Sequence, residues 1–146
     1  ANNPQISIRG GQQVQVYPNN IELDVSWLVT WLESLCQGYM ELITAQSGTE
    51  DLKYCRPVVV SAWTIRPEAG HNASDSQVLF RMPATKDISK FIMNDTWKYS
   101  PKAGTVILFP SHLPHTVYPW RGTGHRTVLA FDAQLVPRED MLNGNA

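Results

Sequence analysis

The chain has 146 residues, of which 42% are hydrophobic and 17% are charged, and its formal net charge at pH 7 is −1. This length and composition are typical of one soluble globular domain covering residues 1–146. A net charge so close to zero gives no electrostatic reason to expect nucleic acid or an anionic membrane surface as a partner. No apolar run is long enough to span a membrane, and the first residues lack the pattern of a secretion signal. We therefore expect a cytoplasmic protein.

The first third of the chain is predicted to form a hairpin and then a helix. Polar and apolar residues alternate over residues 4–17, which indicates a β-hairpin with one buried face. A helix is predicted over about 26–45, and either Asp24 or Ser26 can cap its start. Its apolar face is expected to pack against a sheet. The residues that recur at helical spacing on this face are Trp27, Leu28, Trp31, Leu32, Leu35, Tyr39, Leu42 and Ile43.

Short apolar segments separated by proline and glycine follow the helix. They lie at 55–65, 77–82, 91–93, 105–109, 115–118 and 126–131. Many short strands after a single helix indicate an antiparallel sandwich or barrel. We predict a mainly β barrel over about 55–134, followed by a flexible tail over 136–146.

The histidines are the first candidates for chemistry. Three of the four, His112, His115 and His125, fall within fifteen positions of one another, which would indicate a metal site in any fold. Structural zinc does not fit, because the two cysteines lie far away and the sequence has no Cys-x-x-Cys. His115 is the strongest candidate ligand, since Pro114 and Pro119 stiffen its flanks. The alternative is a turn histidine with a structural role.

Arg126 is the second candidate, because it opens the apolar run Arg-Thr-Val-Leu-Ala-Phe. A lone charge in such a strand points either to solvent or into a cavity. A buried guanidinium requires a carboxylate partner, and a bound dicarboxylate supplies one through a bidentate pair. An arginine that faces outward on an edge strand is the alternative.

The two segments that carry these residues resemble a known family. They read Ala-Gly-Thr-Val-Ile-Leu-Phe-Pro-Ser-His-Leu-Pro-His-Thr-Val over 103–117 and Gly-His-Arg-Thr-Val-Leu-Ala-Phe-Asp over 124–132. Together they resemble the C-terminal half of the double-stranded β-helix in Fe(II)/2-oxoglutarate-dependent oxygenases, and the resemblance extends over roughly 57–134. It implies a double-stranded β-helix (jelly roll) with an N-terminal hairpin and one supporting α-helix. It also implies that His115 binds Fe(II) and that Arg126 holds the far carboxylate of 2-oxoglutarate.

The upstream motif of the family, His-x-Asp, corresponds here to His71-Asn72-Ala73, so alanine stands where the carboxylate is expected. Three interpretations stay open. Asp75 would be the third metal ligand of a hydroxylase. Alternatively, His-x-Ala resembles the halogenases of this family, in which the small residue makes room for chloride on iron. In the third interpretation the chain is a noncatalytic jelly-roll binding or structural module, whose exposed hairpin would mediate homo-oligomerisation.

We favour the first interpretation, in which His71, His115 and Asp75 bind Fe(II) and the enzyme acts on a small-molecule or protein substrate. Three further residues are expected near this site. Trp63 lies on the strand before His71, and Trp120 follows the turn of His115, so both would shape a substrate pocket, although core packing is the ordinary role of tryptophan. His112 would lie beside the metal site or replace His115 as the ligand. The list of pocket residues is therefore His112, Trp63 and Trp120.

Overall fold

The computed structural model describes residues 12–18, 24–66, 78–81, 96–117 and 126–139. This part of the chain contains six β-strands, one α-helix and one 3-10 helix, and two three-stranded sheets with the orders β1-β2-β6 and β4-β3-β5. The predicted mainly β fold is confirmed, and two antiparallel sheets with one helix are compatible with a jelly roll. The strands are β1 Gln12–Tyr17, β2 Cys55–Arg66, β3 Val78–Arg81, β4 Thr96–Tyr99, β5 His115–Val117 and β6 Val128–Pro137.

Internal contacts divide the chain into two compact units. Unit 1 comprises Ala1–Gln13 with Ile65–Val128, and unit 2 comprises Val14–Thr64 with Leu129–Ala146. Unit 1 holds the sheet β4-β3-β5, whereas unit 2 holds the helix α1, Ser26–Ser47, the 3-10 helix Asp51–Tyr54 and most of the sheet β1-β2-β6. The single domain over 1–146 stays a prediction.

The two ends of helix α1 differ. At its start, Val25 is the N-cap and no side chain caps the helix, so neither Asp24 nor Ser26 has the predicted capping role. Oδ1 of Asp24 accepts the backbone N–H of Ser26 at 3.0 Å, and hydrogen bonding to the Ser26 side chain, followed by this backbone bond, lowers the pKa of Asp24. At its end, Gly48 adopts a left-handed φ of 67° and donates its N–H to the carbonyl of Thr44 at 3.0 Å. Glycine adopts this conformation without a steric penalty, which explains why the helix stops there. The helix runs two residues past its predicted end. In the part of the chain that is described, no helix is long and apolar enough to cross a membrane.

The buried face of α1 differs from the predicted one. Leu32, Cys36 and Met40 are buried, whereas Trp27, Trp31 and Leu42 are exposed. The prediction that the two tryptophans and Leu42 belong to the packed face was therefore wrong. Hydrophobic periodicity identifies a helix but cannot choose between two apolar stripes on the same helix, and here one of the stripes stays at the surface.

A part-buried hydrogen bond connects α1 to β2 within unit 2. Oε2 of Glu33 accepts the backbone N–H of Val59 at 3.0 Å, and Val59 is fully buried on the central strand of the sheet. A carboxylate that accepts from a buried amide forms a charge-assisted bond, which is stronger than a bond between neutral groups. Glu33 therefore fixes the helix against this strand.

Other sequence predictions lie partly outside the described residues. Strand β1 falls inside the predicted hairpin 4–17, but residues 4–11 are not described. The segment 91–93 is also outside. Residues 105–109, predicted as a strand, have no assigned secondary structure, and the 136–146 tail is ordered at its start because β6 continues to Pro137. Arg138 then donates its backbone N–H to the carbonyl of Tyr54 at 2.8 Å.

Candidate functional site

The antiparallel sheet of unit 1 places His115 beside a buried aromatic side chain. Strand β3 is central, and its residue Phe80 lies opposite His115 on β5 and opposite Trp97 on β4. Residues that lie directly opposite in an antiparallel pair project from the same face of the sheet. Trp97, Phe80 and His115 therefore form a row across one face, and only the central Phe80 is buried.

Three rings come together around His115. The centroid of the Phe109 ring lies 4.8 Å from that of His115 and 4.9 Å from that of Phe80, in edge-to-face geometry in both cases. The Phe80 and His115 rings are 6.2 Å apart. Edge-to-face pairs at these distances are attractive and restrict rotation of the rings. The two phenylalanines therefore support one side of the imidazole.

The backbone around His115 is held at both ends of its turn. The N–H of Leu113 donates to the carbonyl of Pro110 at 3.0 Å, which closes the turn, and the N–H of Arg81 on β3 donates to the carbonyl of Pro114 at 3.0 Å. Pro114 also fixes its own φ angle. These contacts set the direction in which the chain enters β5 and so the direction of the His115 side chain.

One hydrogen bond determines which ring nitrogen of His115 keeps a lone pair that can bind a metal. Nδ1 of His115 lies 3.0 Å from the carbonyl oxygen of Leu113. Because a carbonyl only accepts, Nδ1 must carry the proton and donate it, which leaves the lone pair of Nε2 for another partner. Histidines that bind metals characteristically donate their second ring N–H to a carbonyl or a carboxylate. His115 is also exposed, so a metal can reach Nε2.

His112 has none of these features. It is exposed in the turn that precedes β5, and within the described residues it makes no hydrogen bond or ring contact. Its side chain therefore lacks the support that a preorganised metal ligand needs. Of the two histidines, the local structure favours His115.

Arg126 lies two residues before β6 and is half-buried. Burial lowers the pKa of its guanidinium from the ordinary value. An arginine stays protonated in proteins despite such a shift, so Arg126 is a cation in a partly desolvated position. This environment suits a carboxylate, because the attraction between the two charges increases as water is excluded.

Trp63 lies on β2, and its indole nitrogen Nε1 is buried without a hydrogen-bond partner among the described residues. A buried N–H without an acceptor costs about 1–3 kcal/mol, which a bound ligand can offset. Trp120, His71 and Asp75 lie outside the described residues. In the described ranges no three His, Cys, Asp or Glu side chains gather as a metal site, so the ligand set His71, His115 and Asp75 stays a prediction.

Sequence reasoning missed the two phenylalanines and the carbonyl that support His115. The Phe109-Pro110 pair ends an apolar run, and Phe80 ends another, but neither pattern says which residue will lie against a histidine. The pairing of Phe80 with His115 joins segments 35 positions apart, so it depends on the register of β3 and β5. Register is a tertiary property that a single sequence does not specify for such short strands.

Half of the chain matches the model of a known protein family. Residues 60–132 match a family model described as "Putative 2OG-Fe(II) oxygenase". The match begins in β2 and ends in β6, and it includes His71, Asp75, His115 and Arg126. It lies inside the range 57–134 over which the sequence resembles these oxygenases. Neither the curated proteins nor the solved structures contain a match to the chain.

Proposed function

Because the chain belongs to this family of 2OG-Fe(II) oxygenases, we propose that it is an Fe(II)- and 2-oxoglutarate-dependent dioxygenase that hydroxylates a small-molecule or protein substrate. The observation that carries the proposal is the hydrogen bond from Nδ1 of His115 to the carbonyl of Leu113. It prepares Nε2 as a metal ligand at the position where the sequence pattern of the family expects one.

His71 and Asp75 complete the proposed ligand set with His115. Two histidines and one carboxylate are a ligand set typical of non-haem Fe(II) oxygenases, so these three residues would hold the iron. Asp75 takes the place of the carboxylate that the His-x-Asp pattern would supply at Ala73. It carries the negative charge that the alanine lacks.

Arg126 is proposed to bind the carboxylate of 2-oxoglutarate that lies farther from the metal. Its planar guanidinium can donate two parallel hydrogen bonds to a carboxylate, which fixes both the position and the orientation of the cosubstrate. Partial burial strengthens this pair by lowering the local dielectric. The role of Trp63 in a substrate pocket stays a prediction.

When bound, Fe(II) and 2-oxoglutarate supply the oxidation: one oxygen atom of O2 enters a C–H bond of the substrate, and the other enters succinate as CO2 leaves. The protein contributes orientation. His115 is held in one tautomer and one ring position by Leu113, Phe109 and Phe80. Arg126 would orient the cosubstrate.

A thermal shift experiment tests the proposal without knowledge of the substrate. We expect 2-oxoglutarate with Mn(II), which does not support turnover, to raise the melting temperature. A ligand at 100 times its dissociation constant adds about 2.7 kcal/mol of stability. For a chain of this length that corresponds to about 5–11 °C. Succinate alone is the matched control, and the absence of a shift at millimolar ligand would contradict the proposal.

Halogenation is the second candidate, and the alanine of His71-Asn72-Ala73 favours it. In that case chloride would occupy the place of the carboxylate, and Asp75 would not bind the metal. The two candidates differ in a binding measurement. Chloride should tighten the joint binding of Mn(II) and 2-oxoglutarate only in the halogenase, whereas Asp75→Ala should weaken it only in the hydroxylase.

A further inference from the structure

Helix α1 carries a second apolar stripe that no described residue covers. Trp27, Trp31 and Leu42 are 69%, 46% and 63% exposed. With 3.6 residues per turn, the three side chains lie within about 60° of one another around the helix axis, on the side away from the buried Leu32 and Met40. The stripe extends over about 22 Å of the helix. Helix α1 therefore has one apolar face toward its own sheet and another toward solvent.

Gly38 lies in the middle of this stripe and leaves a gap. A Cβ atom built at Gly38 would meet nothing within 4 Å, so no neighbouring residue requires glycine at this position. Glycine in the middle of a helix is unfavourable relative to alanine. Neither the backbone nor the packing of this molecule accounts for Gly38. A gap of this kind is useful when a bulky side chain of another molecule fills it.

The stripe is complementary to itself. If two copies of α1 pack antiparallel about a two-fold axis between Ser34 and Leu35, Trp31 of each copy lies opposite Gly38 of the other. The same axis brings Trp27 opposite Leu42. The bulkiest side chain thus faces the one position without a side chain, at both ends of the contact. Both pairings follow from the spacing of the residues alone, because each pair is centred on the same point of the helix, between positions 34 and 35.

We propose that the exposed stripe of α1 is the interface of an antiparallel homodimer, in which Trp31 of each copy fills the gap at Gly38 of the other. Two-fold dimers use the same surface on both subunits, so a self-complementary surface is the one they need. The stripe itself carries no charged side chain, so two copies that meet along it do not place like charges next to each other. Another protein would not require the paired arrangement of large and small residues about one axis.

The exposed area indicates a weak dimer. The exposed parts of Trp27 and Trp31 offer about 170–290 Å² per copy, since an aromatic side chain buries about 150–250 Å². That is about a fifth to a third of the roughly 800 Å² that each partner buries in a standard interface. Leu42 and the residues beside the stripe add to it. We therefore expect a dissociation constant at the upper end of the micromolar range.

Sedimentation of the full chain from about 1 to 200 µM tests the dimer, since this range brackets a micromolar dissociation constant. Trp31→Ala and Gly38→Gln should each raise the dissociation constant at least about tenfold, as expected for the centre of an interface. Gly38→Gln keeps the fold, because the position is open and glutamine favours helix. Trp97→Ala is the matched control, because it removes another exposed tryptophan that lies in the other unit, and it should leave the dissociation constant unchanged. A monomer at every concentration, or a dimer insensitive to Gly38→Gln, would overturn the proposal.

Cross-linking tests the antiparallel arrangement. Position 34 lies beside the proposed axis, whereas position 45 of one copy lies about 31 Å along the axis from position 45 of the other. Ser34→Cys should therefore form a disulfide dimer under mild oxidation, and Ala45→Cys should not. The unsubstituted protein, with its free Cys36 and Cys55, gives the background. Efficient cross-linking at position 45 instead would indicate parallel helices and refute the proposed pairing.

Discussion

Replacing Phe80 should weaken the fold and the support of His115 together. Phe80 is 5% exposed, and its ring contacts those of Phe109 and His115. Removing a buried phenyl ring costs about 3–5 kcal/mol, which is the expected effect of Phe80→Ala. Phe80→Leu keeps most of the apolar volume but loses the edge-to-face contact with Phe109, worth about 0.5–1.5 kcal/mol. For a chain of this length, these values correspond to losses in Tm of about 6–20 °C and about 1–6 °C.

Thermal melts followed by circular dichroism give the first readout. Trp97→Ala is the control, because Trp97 lies opposite Phe80 in the register but is 63% exposed, so its loss should change the stability by no more than about 0.5 kcal/mol. The affinity of folded Phe80→Leu for Mn(II) gives the second readout, and it should fall by about tenfold, as when the support of a metal ligand is lost. Equal melting temperatures for Phe80→Leu and Trp97→Ala, with unchanged metal affinity, would refute this reasoning.

Three further predictions concern single side chains. Glu33→Ala should lower the free energy of unfolding by about 1–3 kcal/mol, because it leaves the buried N–H of Val59 without an acceptor. Chemical denaturation measures this change, and Glu41→Ala on the exposed side of α1, as the control, should have little effect. Burial, and then the charge of Glu33, raise the pKa of the Cys36 thiol, so the unfolded chain loses this proton at a lower pH than the folded one. The free energy of unfolding should therefore fall as the pH rises through the ordinary thiol pKa of about 8.5. The same measurement on Cys36→Ala over the same pH values should show a smaller fall. Arg126→Lys keeps the positive charge but loses the bidentate hydrogen bonds to a carboxylate, so calorimetry should find that 2-oxoglutarate binds at least about tenfold more weakly while the affinity for Mn(II) is unchanged. An equal loss of affinity for 2-oxoglutarate and for Mn(II) would contradict the role assigned to Arg126.

The sequence predicts the elements that have a strong local signal. Strand β2 follows from the Val-rich segment at 55–65, and α1 from its helical periodicity and from Gly48 at its end. Strand β4 was not predicted, because Thr-Trp-Lys-Tyr is too short to show a period. Residues 105–109 have the composition of a strand but no assigned strand structure. Composition reports the tendency to extend, whereas a strand also needs a neighbour to pair with.

The sequence points to residue types for the candidate site but not to its geometry. His115 and Arg126 stand out because a histidine between prolines and an arginine at the start of an apolar run are unusual in sequence, although Arg126 lies before β6 and not on the strand as predicted. The hydrogen bond to Leu113 and the contact with Phe80 depend on a turn and on the register of two short strands. The exposed stripe of α1 was hidden for a similar reason, because the sequence shows two apolar faces and only packing decides which is buried.

An anaerobic titration with Fe(II) and 2-oxoglutarate, followed by visible spectroscopy, tests the central claim most directly. The chelated keto acid gives a charge-transfer band, and we expect this band in the unsubstituted protein and in His112→Ala but not in His115→Ala. Each variant loses one exposed histidine, His112 from the turn before β5 or His115 from the start of β5. The comparison therefore separates the loss of a metal ligand from the general effect of losing an imidazole. If the band is absent from the unsubstituted protein, or persists in His115→Ala, then His115 does not bind iron in the proposed way.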